Sequence, residues 1–268
     1  MLFKKLSKVL FCILIGNANS YGDQQALSVY QEAQQKTSTL KGYVAEYQKT
    51  DTKTGRLLTQ TSTIKRLDSG VVLQRIETIS NNPSNLSQKS RPAFIMLSNE
   101  AGIYYYFPTQ NKAIKVLFLP KMTNSINSTL AGLPKVIPSN DQISLHDEII
   151  NGKSRTVAQL ILSDQQKSNY LLALQGSLQS LGSGQDAINE NLTSVSGIKY
   201  YIDKDSGLLL GQRLINSHNQ EVFGLVYSSM TPAEPSDDQF EFPKTTLTYN
   251  ANSPEELSDL MFKIILDE

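Results

Sequence analysis

His146 and His218 are the only histidines in the 268-residue chain, and neither has the neighbours that chemistry requires. An imidazole becomes a general base or a metal ligand when a nucleophile, a carboxylate or an ion converges on it. His146 falls in an alternating stretch beside Asp147 and Glu148, and His218 in the turn-like run Ser217-His218-Asn219, so both read as surface positions. The carboxylate pairs Asp147-Glu148, Asp237-Asp238 and Glu255-Glu256 are adjacent in sequence. Neighbours on a strand point to opposite faces, so Asp147 and Glu148 are poorly placed to flank one scissile bond. The chain lacks H-E-x-x-H, G-x-S-x-G, Walker and G-x-G-x-x-G patterns, and no serine is marked as a nucleophile. These residues predict a protein that is not an enzyme and has no cofactor and no metal. A hydrolase remains a distant third reading, in which His146 or His218 would be essential.

The start of the chain supplies an address. Lys4, Lys5 and Lys8 precede the apolar run Val9 to Gly16, and Ala18-Asn19-Ser20 sets small residues before a cut at Tyr21. This is the pattern of a secretory signal peptide over residues 1–20, and its apolar run falls short of the ~20 residues that a membrane span needs. Cys12, the single cysteine, lies inside that run behind Phe11 rather than at the cut, so lipidation is not expected. The mature chain then has no thiol, and its stability must come from a packed core. Losing the leader removes three lysines and no acids, leaving 22 basic and 25 acidic residues. So even a balance predicts no nucleic-acid partner.

Short alternating segments dominate the rest. A leading helix with Asp23 as cap carries Ala26, Leu27, Tyr30 and Ala33 at helical spacing. Strands follow from Tyr43, over Arg56–Arg66 and Val71–Ile79, with turns at Asp51–Gly55 and Asp68-Ser69-Gly70. Three more are expected at Ala93–Leu97, Gly102–Phe107 and Lys112–Phe118. Met122, Ile126, Leu130 and Leu133 recur at helical steps between Pro120 and Pro134, which predicts an inserted helix. Asn151-Gly152 marks a hairpin between Gln142–Ile150 and Arg155–Leu162. A second inserted helix is expected over Gln165–Leu181, with Leu171, Leu174, Leu178 and Leu181 inward, followed by a loop over Gly182–Ser196. Strands at Ile198–Ile202, Leu208–Ile215 and Glu221–Met230 close the sheet. Ser253, Pro254 and Glu256 form the start of a last helix whose Leu257, Leu260, Met261 and Ile264 face inward. One domain over 21–268 is expected, mainly β (α+β), as a single curved antiparallel sheet with inserted, N-terminal and C-terminal helices.

In order of elements this chain resembles the LolA/LolB lipoprotein-carrier superfamily. The likeness lies in Leu40-Lys41-Gly42-Tyr43, in Gly102-Ile103-Tyr104-Tyr105-Tyr106-Phe107-Pro108 with Asn111-Lys112, and in Ser128-Thr129-Leu130-Ala131-Gly132-Leu133. It continues in Tyr201-Ile202-Asp203-Lys204-Asp205-Ser206-Gly207-Leu208-Leu209 and Phe240-Glu241-Phe242-Pro243. The resemblance implies an unclosed β-barrel whose helical lid covers an apolar cavity for acyl chains. The chain departs from that pattern in its extra residues around Gln165–Ser196, its C-terminal helix and its lack of tryptophan. The family's inner-strand arginine could correspond to Arg66 or Arg75.

These features predict a periplasmic, monomeric, non-enzymatic carrier or binding protein for lipids or lipoprotein acyl chains. Tyr43, Phe94, Tyr105, Met122, Leu130 and Leu133 are assigned to the wall or lid of the cavity, with the opposite strand face as the alternative. The competing expectation is an envelope-stress sensor or protein-interaction module of the same fold, with a membrane-protein partner in the envelope.

Overall fold

A computed structural model describes residues 24–50, 57–81, 94–118, 142–180 and 194–266, without the side chains at 50, 80, 81 and 173–180. The expected leader, the Asp23 cap, the Asp51–Gly55 turn and the inserted helix carrying Met122, Leu130 and Leu133 lie outside the described residues. Backbone contacts divide the chain into two compact units.

One unit is built on an eight-stranded sheet in the order β12-β1-β2-β3-β4-β5-β6-β13. Its strands are β1 (Gly42–Thr50), β2 (Leu57–Arg66), β3 (Val72–Asn81), β4 (Ile95–Asn99), β5 (Gly102–Phe107), β6 (Lys112–Val116), β12 (Ser229–Pro232) and β13 (Leu247–Ala251). The sheet is curved and unclosed, β12 and β13 being its two edges. All pairings are antiparallel except β6 with β13, a parallel edge that the strand pattern did not announce. The turn at Asp68-Ser69-Gly70 sets Arg66 opposite Val72, with Gly70 at positive φ.

The register gives each face of this sheet a distinct cover. On the first face, Phe107, Ile114 and Ala251 meet Ile264 of the C-terminal helix, joined by Leu257, Leu260 and Met261. Here that helix is α3 (Pro254–Leu266). Ser253 caps it as the sequence predicts, its Oγ accepting from the Glu256 amide at 3.2 Å, but the Glu256 carboxylate, expected to complete a capping box, accepts from the Asn252 amide at 2.8 Å, one residue before the cap. On the second face, Ile95, Leu97, Tyr104 and Tyr106 pack against Phe242. A one-turn 3₁₀ helix over Asp237–Phe240 lies on the same face. Arg75 Nη1 donates to the Gln239 carbonyl at 3.0 Å and Asn99 Nδ2 to the Phe240 carbonyl at 3.1 Å, which pins this segment to β3 and β4.

The other unit carries a five-stranded antiparallel sheet in the order β11-β10-β9-β8-β7. Its strands are β7 (Ile143–Ile150), β8 (Lys153–Ile161), β9 (Val195–Asp203), β10 (Leu209–Asn216) and β11 (Glu221–Val226). Helix α1 spans residues 24–38. It buries Ala26, Tyr30 and Ala33 as its spacing predicts, and the Tyr30 ring lies 4.5 Å from that of Tyr200. Thr37 Oγ1 accepts from the Leu209 amide at 2.8 Å, satisfying a donor at the β9/β10 bulge. Helix α2 (Asp164–Ser180) is present where expected, but Tyr170 is its deeply buried residue in the part described, with Leu171 half-buried. In the Asn151-Gly152 turn both residues take positive φ, as a two-residue hairpin requires.

Two features depart from the expected single sheet. The alternating run Glu221–Met230 is two strands, one in each sheet. Val226 and Tyr227 are buried in succession, which breaks the period of two, and Ser228 then donates from both its amide and its hydroxyl to the Glu46 carbonyl at 2.6 and 2.9 Å. Those bonds start the chain along the edge of β1. The β9 strand also begins at Val195, inside the stretch expected to be loop: Val195 pairs with Asn216 of β10, and Gly197 with Ile161 of β8 at an approach where a Cβ would fall 2.6 Å from the Leu160 carbonyl oxygen.

Candidate functional site

Three of the six assigned wall residues, Tyr43, Phe94 and Tyr105, are described, and the register sets Tyr43 and Tyr105 on the first face of the eight-stranded sheet. Across the strands, Tyr43 is level with Ile64 and Gln74, and Ala45 with Ser62, Ile76, Met96 and Tyr105. Side chains alternate between faces along a strand, so rows two residues apart share a face. Phe94, one residue before β4, joins that face: its ring is 5.5 Å from Tyr105 and 6.1 Å from Phe107. Phe94 and Tyr105 both pack against the cluster under α3. That end of the face is therefore filled by the helix, whereas Ile76 and Met96 are only half-buried.

Polar groups are set among these apolar side chains. Ser62 is fully buried on this face. Gln74 Oε1 and Arg66 Nε are buried atoms with no hydrogen-bond partner among the described residues. Burial pushes the Tyr43 phenol well above its ordinary value; the nearby Tyr227 adds to this and the Arg66 guanidinium partly offsets it. Burial also raises Tyr227, with the Ser62 hydroxyl working against it, and burial raises Tyr105. At neutral pH these phenols are neutral. The face thus sets apolar side chains beside an amide oxygen and a guanidinium N–H that have no partner among the described residues.

A second constellation, which the sequence reading missed, lies on one face of the five-stranded sheet. Glu148 Oε1 accepts from Lys199 Nζ at 2.7 Å and from His146 Nε2 at 2.8 Å. Tyr201 OH donates to Glu221 Oε1 at 2.7 Å, and Arg213 pairs with the other oxygen of Glu221. Arg155 pairs with Asp203. Burial alone would raise Glu148, but the hydrogen bonds from Lys199 and His146 and their charges outweigh it and hold the carboxyl below the usual range. Burial and the Glu221 carboxylate raise Tyr201. Asp147 points the other way, to Lys204 at 2.6 Å, so the two adjacent acids do serve opposite faces. Each carboxylate of the cluster is matched by a cation from a different strand. The Asn151-Gly152 turn made the pairing of Glu148 with Arg155 legible; Lys199 comes from β9, beyond a long connection that leaves its register open. Among the described residues no group of histidines and carboxylates is placed to hold a metal.

No protein-family model and no curated protein sequence matches the chain. Solved structures do resemble it. A putative outer membrane lipoprotein-sorting protein domain from Vibrio parahaemolyticus is 11% identical, over 82% of this chain and 97% of its own, at a TM-score of 0.30. A LolA superfamily protein from Nitrosomonas europaea is 9% identical over 81% and 97%, at 0.29. The Pseudomonas aeruginosa MucA/MucB complex gives 11% identity over 82% of this chain and 61% of that one, at 0.40. Likeness at this level identifies no ligand or partner.

Proposed function

We propose that this chain is exported to the periplasm, its leader cut before Tyr21, and that it binds the acyl chains of lipids or lipoproteins without catalysing a reaction. The ligand lies on the first face of the eight-stranded sheet, along Tyr43, Ile64, Ile76 and Met96. Phe94 and Tyr105 mark where α3 begins to fill that face, and Met122, Leu130 and Leu133 of the expected inserted helix supply the lid. The observation that supports this reading is the register, which sets Tyr43 of β1 and Tyr105 of β5 on one face, where the Phe94 ring meets Tyr105.

Burial contributes ~0.8 kcal/mol per CH₂, so a ~14-carbon tail supplies about 11 kcal/mol before ordering costs. Micromolar affinity needs about 8 kcal/mol, which leaves roughly 3 kcal/mol for immobilising the chain. Titration of the mature protein with cis-parinaric acid tests the reading. Saturable micromolar binding is expected, weakened about tenfold or more by Ile76→Arg, which sets a charge on the face. Binding that Ile76→Arg leaves unchanged, in a variant with native circular dichroism, would refute the placement.

A further inference from the structure

On the first face of the eight-stranded sheet a hydrogen-bond donor and an acceptor stand on neighbouring strands and do not bond to each other. Arg66 pairs with Val72 across β2 and β3, and Gln74 lies two residues beyond Val72. Diagonal neighbours of this kind share a face about 7–8 Å apart, within reach of long side chains. Arg66 Nε and Gln74 Oε1 are both buried, and neither has a hydrogen-bond partner among the described residues. Such atoms have lost their hydration without a replacement bond, a cost that folded chains confine to a few positions. Their surroundings are polar as well: the Tyr43 phenol lies near the Arg66 guanidinium and the Tyr227 phenol, and Ser62 near Tyr227. Along β2, Arg66 is four residues from Ser62, which is level with Tyr105. Phe107, packed under α3, lies two residues past Tyr105 in the opposite direction. The helix thus fills one end of the face, and the donor and acceptor mark the other.

We infer that this end of the face holds the secondary amide that joins an acyl chain to the rest of its ligand. A secondary amide carries one C=O acceptor and one N–H donor, which together complete the Arg66 Nε–H and the Gln74 oxygen. An ester carries acceptors alone and leaves the Gln74 oxygen unmet, and a carboxylate also sets its charge against that oxygen. Water offers both functions, but both atoms are closed to it, whereas burial of an acyl chain drives apart the side chains that cover them. Arg66 and Gln74 are half-buried as whole residues, so each turns about its own χ angles to present the covered atom. The inference rests on the acyl-chain reading and adds to it the chemistry by which the head of the ligand is chosen.

The test displaces cis-parinaric acid from the full mature chain with N-methyldodecanamide, with two relatives that lack the N–H, N,N-dimethyldodecanamide and methyl dodecanoate, and with dodecanoate. The monomethyl amide is expected to bind about five-fold more tightly than either relative, the size of one net hydrogen bond, and no more weakly than dodecanoate. Gln74→Leu should abolish that preference by weakening the monomethyl amide alone, whereas Arg66→Met should weaken all the carbonyl compounds and leave the preference in place. N-Dodecanoylethanolamine and N-dodecanoyl-Gly-Ser-Gly-amide then separate a lipid from an acylated polypeptide as the source of the amide, and tight binding of either supports the inference. Equal affinity for the monomethyl amide and both relatives, a preference untouched in folded Gln74→Leu, dodecanoate bound more tightly than the amide, or rejection of both larger amides would overturn the inference while acyl-chain binding stands. A folded chain that takes up neither cis-parinaric acid nor any of these compounds would overturn both.

Discussion

Glu148→Gln offers a demanding check on the electrostatics of the five-stranded sheet, because it removes one charge and almost no volume. The Lys199 side chain is 7% exposed and that of Glu148 25%. Stripping the carboxylate leaves a nearly buried ammonium facing a neutral amide. Breaking a fully buried pair costs ~3–5 kcal/mol, and water reaches Glu148, so a loss of about 2 kcal/mol is expected. That equals about a 30-fold rise in the opening equilibrium. Hydrogen exchange at the β8 and β9 amides reads this directly, and it does so for one unit at a time, which a global melt of a two-unit chain does not. The sign with pH is fixed by the depressed carboxyl. Its stabilisation is fully present above the unfolded value of about 4.3 and is lost as pH falls through the lower folded value. The gap between wild type and variant should therefore be widest near neutrality and close in acid. Adding Lys199→Met to Glu148→Gln should recover more than half of the loss, since the uncompensated charge is then gone. A Glu148→Gln effect below about 0.5 kcal/mol, or a gap that persists unchanged in strong acid, would refute the reasoning.

Other perturbations carry opposite signs. Ser253→Ala removes the acceptor for the Glu256 amide and should cost about 1 kcal/mol, seen as faster exchange at the start of α3. Gly211→Ala should be much worse: φ is +154° there and a Cβ would fall 2.1 Å from the Leu225 carbonyl oxygen, so the β10/β11 pairing should open and β11 should lose exchange protection. Tyr170→Phe should be neutral or slightly stabilising in urea denaturation, because the buried Tyr170 hydroxyl has no hydrogen-bond partner among the described residues.

Much of the fold was legible where a local signal and a short connection acted together. The Asn151-Gly152 and Asp68-Ser69-Gly70 turns set the registers of β7/β8 and β2/β3, and the Ser253-Pro254-Glu256 start with its apolar spacing gave α3 and its inward face. Long-range pairing was not legible. The exchange of the chain between sheets at Tyr227-Ser228 depends on bonds to Glu46, and β13 pairs in parallel with β6 across more than a hundred residues. For the candidate site, alternation gave the period of two that sets Tyr43 and Tyr105 on a common face. It could not show that α3 would occupy the end of that face nearest Phe94. The cluster around Glu148 was invisible for the same reason as β13: Lys199 and Tyr201 reach it from a strand whose register no local residue fixes.

The central claim concerns what the first face of the eight-stranded sheet holds. Lipid mass spectrometry of the chain purified intact from a bacterial periplasm, without detergent, addresses it most directly. About one acyl lipid per chain is the expected result, falling sharply in Ile76→Arg. A folded protein that emerges empty, and that takes up no hydrocarbon ligand when offered one, would contradict it.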